Sequence, residues 1–365
     1  MWLYFLAPMF VPLGIPFWNF LFRWGRLGVE YVRFFLHLKG LLYSNSIAIH
    51  EGLHSMVAKH GRLYGTFRRT IHEPAVSNVE LGKEVLNRQL LKVFERVFEF
   101  QSNNPLWKNA VNNLPFERWK PVRSVMTLFF TSAKMQSIIP KLAKLSERFV
   151  GKLEVVVQTS KNEVALNKCY RGIAMGSMIA VSFGIEMDCL DDAENPFVKN
   201  GSGLFKLGAT SSFILATGPA FRFVAAGPEG VVSLLDMLTY LYAMDPEAQE
   251  KALGELRSLV GERTLITYED LQKSKYLEAS KLKTGRLFPL SLIVERTCTQ
   301  YTEIAGISIR PADSVEIPVV SLHRDPKYLP EPDDFLNERF IEDEDVTPEV
   351  AALLSSGDGS KSCLS

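Results

Sequence analysis

Residues Trp2 to Phe22 carry no charged side chain and are rich in Phe, Trp, Leu and Tyr, after which the chain turns basic at Arg23, Arg26 and Arg33. A run of that length and flank predicts a membrane anchor with its carboxy-terminal side in the cytosol. The prolines at 8, 12 and 16 each remove a backbone donor, so a kinked or interfacial anchor is the competing reading. Farther on, the pattern predicts a helix ending at Gly61, an extended aromatic segment to Phe67, and then a strand and a helix between Pro74 and Leu86. Helical spacing recurs at about Met135 to Val157 and Cys169 to Ser182. Asp245-Pro246 caps and starts a helix running to about Val260, and Thr267-Tyr-Glu-Asp270 forms a capping box for the next one. From Tyr301 to Pro318 the chain alternates around a Gly306 turn, which predicts a small sheet of hairpins.

At 365 residues the chain is long enough for one large domain or two ordinary ones. Lys plus Arg and Asp plus Glu both number 41, so net charge gives no reason to expect nucleic acid as a partner. Hydrophobic residues make up 47%, which agrees with an apolar anchor. The four cysteines, Cys169, Cys189, Cys298 and Cys363, contain no Cys-x-x-Cys pair. They fit a reducing compartment and neither a disulfide framework nor a zinc ribbon.

Two stretches carry candidate chemistry. His50-Glu51-Gly-Leu-His54 fits H-E-x-x-H, with His60 at the distance of a third ligand. On a helix His50 and His54 share a face and could hold zinc, with Glu51 activating water; an amphipathic surface helix is the other reading. If the helix simply continues, His60 lies about 80° round from His50 and cannot join the site. The second stretch is Gly357-x-Gly359-x-Lys361-x-Cys363. A thiolate in a glycine-containing loop beside a cation is a soft metal ligand, and a free thiol in a terminal segment is the alternative.

The tail resembles the haem-thiolate loop of the cytochrome P450 family, with Ser356, Lys361 and Ser365 where that family usually has Phe, Arg and Gly. Further motifs fall in the family's order. Trp119-Lys-Pro-Val-Arg123 resembles the Trp-x-x-x-Arg pair that holds a haem propionate, and Phe129 to Met135 follows with the same cadence. Val181-Ser-Phe-Gly184 and Asn195-Pro-Phe-Val198 resemble the drug-metabolising and thromboxane-synthase branch. Ala225-Ala-Gly-Pro-Glu229-Gly230-Val231 resembles the oxygen-activating motif, although read alone Gly227-Pro228-Glu229 is a turn opening a helix. Tyr276 to Pro289 matches the helix of the Glu-x-x-Arg signature, with Arg286 in place and Lys283 at the glutamate position. Leu322-His-Arg-Asp-Pro-Lys-Tyr328 and Pro332 to Phe340, including Arg339, resemble the His-x-Asp-Pro and Glu-Arg-Phe segments.

The resemblance implies a mainly α, cytochrome P450-like helical fold with a small β-subdomain. That fold is expected to be incomplete, lacking the roof helices, between about Phe213 and Arg222, and the C-terminal helix after Cys363. Residues 1–24 are expected to form the anchor and residues 25–365 the P450-like domain. The implied activity is haem-thiolate monooxygenation of a lipophilic small molecule, with Cys363 as the axial ligand to the iron of haem. Trp119, Arg123, Gly359 and Lys361 would bind the cofactor, and Glu229 would serve in proton delivery. Electrons would come from NADPH through NADPH-cytochrome P450 reductase, at the endoplasmic reticulum membrane with the body on the cytosolic side and membrane lipids as partners. Two alternatives stand beside it: an impaired relative without productive haem binding, and the zinc hydrolase of His50, Glu51 and His54.

The departures have physical consequences. Lys283, Arg286 and Arg339 form the structural core of the Glu-x-x-Arg region, and here they would gather three cations without a carboxylate between them. The region is expected to be rebuilt around another acid such as Glu338, or loosened enough to admit water. Gly230 and Val231 replace the hydroxyl residues that assist proton transfer.

Overall fold

The computed structural model describes residues 23–31, 49–68, 71–86, 94–95, 114–128, 131–160, 164–183, 189–190, 228–334, 340–342 and 345–346. The first elements are helices α1 (Arg23–Arg26) and α2 (Ile49–His60), strands β1 (Leu63–Arg68) and β2 (Ile71–Val76), helix α3 (Val79–Leu86) and strand β3 (Phe94–Glu95). Helices follow: α4 (Phe116–Thr127), α5 (Ser132–Thr159), α6 (Leu166–Phe183), α7 (Pro228–Met244), α8 (Pro246–Val260), α9 (Tyr268–Lys273) and α10 (Lys275–Leu287). Strands then return as β4 (Val294–Cys298), β5 (Thr302–Ile304), β6 (Ile307–Ile309) and β7 (Ser314–Ile317). Helix α11 (Val319–Leu322) and the strand pair β8 (Ile341–Glu342) and β9 (Asp345–Val346) complete the described elements. They fall into two compact units: α1 to β3 with β4 to α11, and α4 to α10 with β8 and β9.

In the first unit the sheet order is β1-β2-β7-β4-β3. Strand β7 runs parallel to β2 and antiparallel to β4, and each of its four residues is buried. This corrects the expected run of hairpins. Within the stretch from Tyr301 to Pro318, β5 and β6 pair as a hairpin, whereas β7 leaves its sequence neighbours and enters the middle of the larger sheet. A strand flanked on both edges and covered on both faces shows no alternation, so its pattern did not reveal its place. The register sets Tyr64, Ala75, Glu316 and Glu295 in one cross-strand row. Helix α2 lays Met56 and Val57 on Tyr64 and Ala75. Burial, followed by the charges of Glu316 and Glu73, pushes the Tyr64 phenol well above its usual range.

The second unit is helical. Helix α6 packs with α5 and α7, joining Tyr170, Ala174 and Val232 with Phe149 against them. Gly176 makes the approach of α5 possible, since a Cβ there would meet Leu145 Cδ2 at 3.1 Å. The predicted caps are present: Asp245 accepts from the Ala248 N–H at 3.0 Å, and Thr267 and Asp270 form the reciprocal box. Arg263 donates to Asp270 Oδ1 at 2.8 Å. That bond, and then the Thr267 N–H, hold the Asp270 carboxyl well below the usual carboxylate range.

Candidate functional site

Helix α10 carries the residues the sequence placed at the structural core. Its N-cap, Ser274, makes no side-chain cap bond, and the exposed amides are met from α8 instead. The Glu255 carboxylate accepts from the N–H groups of Tyr276 and Leu277 at 2.8 and 3.1 Å. One turn apart on this helix, Lys283 and Arg286 are both 0% exposed. Lys283 Nζ lies 5.9 Å from the centroid of the Phe340 ring, which is also closed off from solvent. The closure of both side chains from solvent runs against the expected loosening to water, and the aromatic ring supplies part of what hydration would give the ammonium. Arg339 and Glu338 lie outside the described residues.

Helix α4 brings Trp119 and Arg123 onto one face, four residues apart. Trp119 is buried and stacks on Phe116, with ring centroids 6.0 Å apart, while Arg123 is half-buried. An indole N–H and a planar guanidinium so placed suit a carboxylate ligand. Helix α7 begins at Pro228, as expected of a proline in the first turn, and Glu229 is its second residue. Gly359, Lys361 and Cys363 lie outside the described residues, as does the expected anchor from Trp2 to Phe22. Among the described residues no helix is long and apolar enough to cross a membrane.

Helix geometry removes His60 from the zinc reading. Helix α2 runs unbroken through His60, and Gly61, at φ 83°, ends it. His60 is therefore turned away from the His50 and His54 face, and its Nδ1 pairs with Glu30 Oε1 at 3.0 Å. Among the described residues no group of three or more His, Cys, Asp or Glu side chains is placed to hold a metal ion.

Two constellations went unread in the sequence. Arg62, just before β1, makes a bidentate pair with Asp325 at 2.8 and 2.9 Å and lies over the Tyr328 ring. Burial pushes the Asp325 carboxyl up, but the Arg62 bond, the Lys327 N–H and the nearby positive charges outweigh it and hold the carboxyl below its ordinary value. The His-x-Asp-Pro motif was the available signal, although it names only one partner. Near the amino terminus, Arg23 and Trp24 are buried against the sheet. Nothing in their local sequence separates that from a membrane flank.

A family model described as Cytochrome P450 matches residues 31–217 and 217–364. The chain is similar to cytochrome P450 3A5 of Homo sapiens, at 24% identity over 403 residues, covering 88% of this chain and 79% of that protein. It is also similar to cytochrome P450 3A29 of Sus scrofa, at 23% identity over 379 residues, covering 84% and 75%. The first aligned span is longer than the whole chain, so the human relative has residues inside the matched region that this chain lacks. The two parts of the family match meet at residue 217, within the interval from Phe213 to Arg222 where the sequence pattern breaks.

Proposed function

This chain belongs to the cytochrome P450 family, and on that basis we propose that it is a haem-thiolate monooxygenase inserting one oxygen atom into a lipophilic substrate. The observation that carries the reading is the extent of the family match, which runs to residue 364 and so takes in Cys363. The described donors suit the group: Arg123 and Trp119 stand four apart on α4, where a propionate could take the guanidinium and the indole N–H. Cys363 would hold the iron as a thiolate, with Lys361 and Gly359 as further residues of the cofactor loop, and a cation two residues away in sequence would favour the deprotonated form. When bound, haem supplies the oxygen-activating chemistry. Glu229, in the first turn of α7, holds the proton to be delivered. Gly230 and Val231 have no hydroxyl to share in that transfer. Electrons come from NADPH through NADPH-cytochrome P450 reductase, and the apolar run from Trp2 to Phe22 holds the body on the cytosolic side of the endoplasmic reticulum membrane.

A second reading is a relative that no longer holds haem productively. Lys283 favours it, because it buries a cation one turn from Arg286 where the family carries a glutamate. The test is the absorption of the reduced carbon-monoxide complex after haem reconstitution. A thiolate-type band that is lost in Cys363→Ser supports the monooxygenase. Absence of the band in the unaltered chain overturns it in favour of the inactive relative.

A further inference from the structure

Arg23 and Trp24 immediately follow the apolar run, and both are built into the sheet unit. The Arg23 guanidinium makes a two-point pair with Asp313, at 2.7 and 2.9 Å, and donates to the Ser308 carbonyl at 3.0 Å. Asp313 is fixed in turn, since its Oδ2 accepts from the Arg310 N–H at 2.8 Å. Trp24 is 0% exposed, and its Nε1 donates to the Thr66 carbonyl at 3.1 Å. The indole occupies the space above Gly65, where a Cβ would come within 2.4 Å of the ring, and it meets His72 edge-on. The backbone follows the side chains: the Gly65 N–H donates to the Glu30 carbonyl at 2.7 Å, and Tyr31 forms a parallel bridge to Gly65. Helix α1 is thus pinned by its side chains, and the chain after it meets the β1 edge at Glu30 and Tyr31.

A flexible tether has none of these features. Of the basic flank that follows the apolar run, Arg23 is consumed in a buried ion pair, whereas Arg26 is exposed. A bidentate guanidinium pair and a seated indole fix direction as well as position, because each constrains rotation about the chain. We propose that residues 23–31 are a rigid coupling, and that a lipid surface held by residues 2–22 is held at a fixed orientation to the sheet unit. The domain boundary then falls before Arg23, two residues earlier than the sequence pattern placed it. This inference rests on the membrane reading of Trp2 to Phe22.

The test uses the full chain on phosphatidylcholine vesicles, with a spin-labelled unnatural amino acid at exposed Glu303. Flotation reports the membrane reading, and label mobility reports the coupling. A Gly-Ser insert between Phe22 and Arg23 leaves the buried contacts intact and defines the uncoupled state. The unaltered chain should float and show slow label motion, with a correlation time about tenfold longer than that of the insert variant. Trp24→Ala and Arg23→Ala should approach the insert variant while still floating. A chain that floats but whose label is already as mobile as in the insert variant overturns the coupling. A chain that does not float overturns the membrane reading, and the coupling to lipid with it.

Discussion

The Lys283 ammonium stands 5.9 Å from the centre of the Phe340 ring, and neither side chain reaches solvent. A cation taken out of water is costly unless its hydration is replaced, and an aromatic face replaces part of it. The pair ties α10 to the residue that immediately precedes β8. A double-mutant cycle with Lys283→Met and Phe340→Leu should give a coupling of about 1–2 kcal/mol in urea unfolding. Additive effects would reduce Phe340 to ordinary packing.

Glu255 closes the other end of the same helix from 21 residues away. Its carboxylate receives two N–H groups that no residue of α10 satisfies. Glu255→Ala should cost about 1–2 kcal/mol, as the loss of a helix cap does. Glu255→Gln, which keeps a neutral acceptor, should fall between the two. The check is amide exchange at Tyr276 and Leu277, which should speed up in the order Glu, Gln, Ala.

These two contacts mark the limit of what the sequence made legible. The caps at Asp245 and Thr267 and the stop at Gly61 were readable because each involves residues within a few positions of one another. The place of β7, the reach of Glu255 and the seat of Trp24 were not, since each depends on a partner brought in by the fold. At the candidate site, residue type and order singled out Trp119, Arg123 and Arg286 as candidates through their family motifs. Lys283 stood out in the sequence as a departure from the family motif, but the aromatic face above it belongs to a residue 57 positions later, which no local pattern connects to it.

The Arg62 pair sets a pH dependence. Asp325 has its folded pKa below the unfolded value of about 4, so its contribution is fully present above that value and is lost as pH falls through the folded one. Asp325→Asn should lower stability near neutrality by about 1–3 kcal/mol. The gap between the unaltered chain and the variant should then close as the solution is acidified below about pH 4. Urea midpoints measured from pH 7 down to pH 3 would show this, and a gap independent of pH would assign the effect to packing alone.

If Trp119 and Arg123 receive a haem propionate, Arg123→Leu should reduce bound haem several-fold without altering the far-ultraviolet circular dichroism. Arg123 is half-buried within α4, and leucine is as good a helix former as arginine. Arg123→Lys should recover only part of the loss, because a point charge cannot present two parallel donors. Pyridine haemochrome content per chain is the measurement, and equal content in all three proteins would remove Arg123 from the site.

Gly65 is the position where the sheet is most sensitive to a single methyl. A Cβ there would lie 2.4 Å from the Trp24 ring, well inside contact distance. The ring has little freedom to retreat, because its Nε1 is held by the Thr66 carbonyl and the neighbouring Arg23 is locked to Asp313. Gly65→Ala should therefore destabilise the sheet unit by about 2–3 kcal/mol through overpacking. Trp24→Ala alone should cost about 3–5 kcal/mol, the range for emptying a buried aromatic site. In the double variant the new methyl enters space the indole has left, so Gly65→Ala should cost little beyond Trp24→Ala. Amide exchange across β1 and β2, read for all four proteins, separates the outcomes. If the methyl does equal damage with and without Trp24, its cost comes from the strand backbone and the indole is not seated over Gly65.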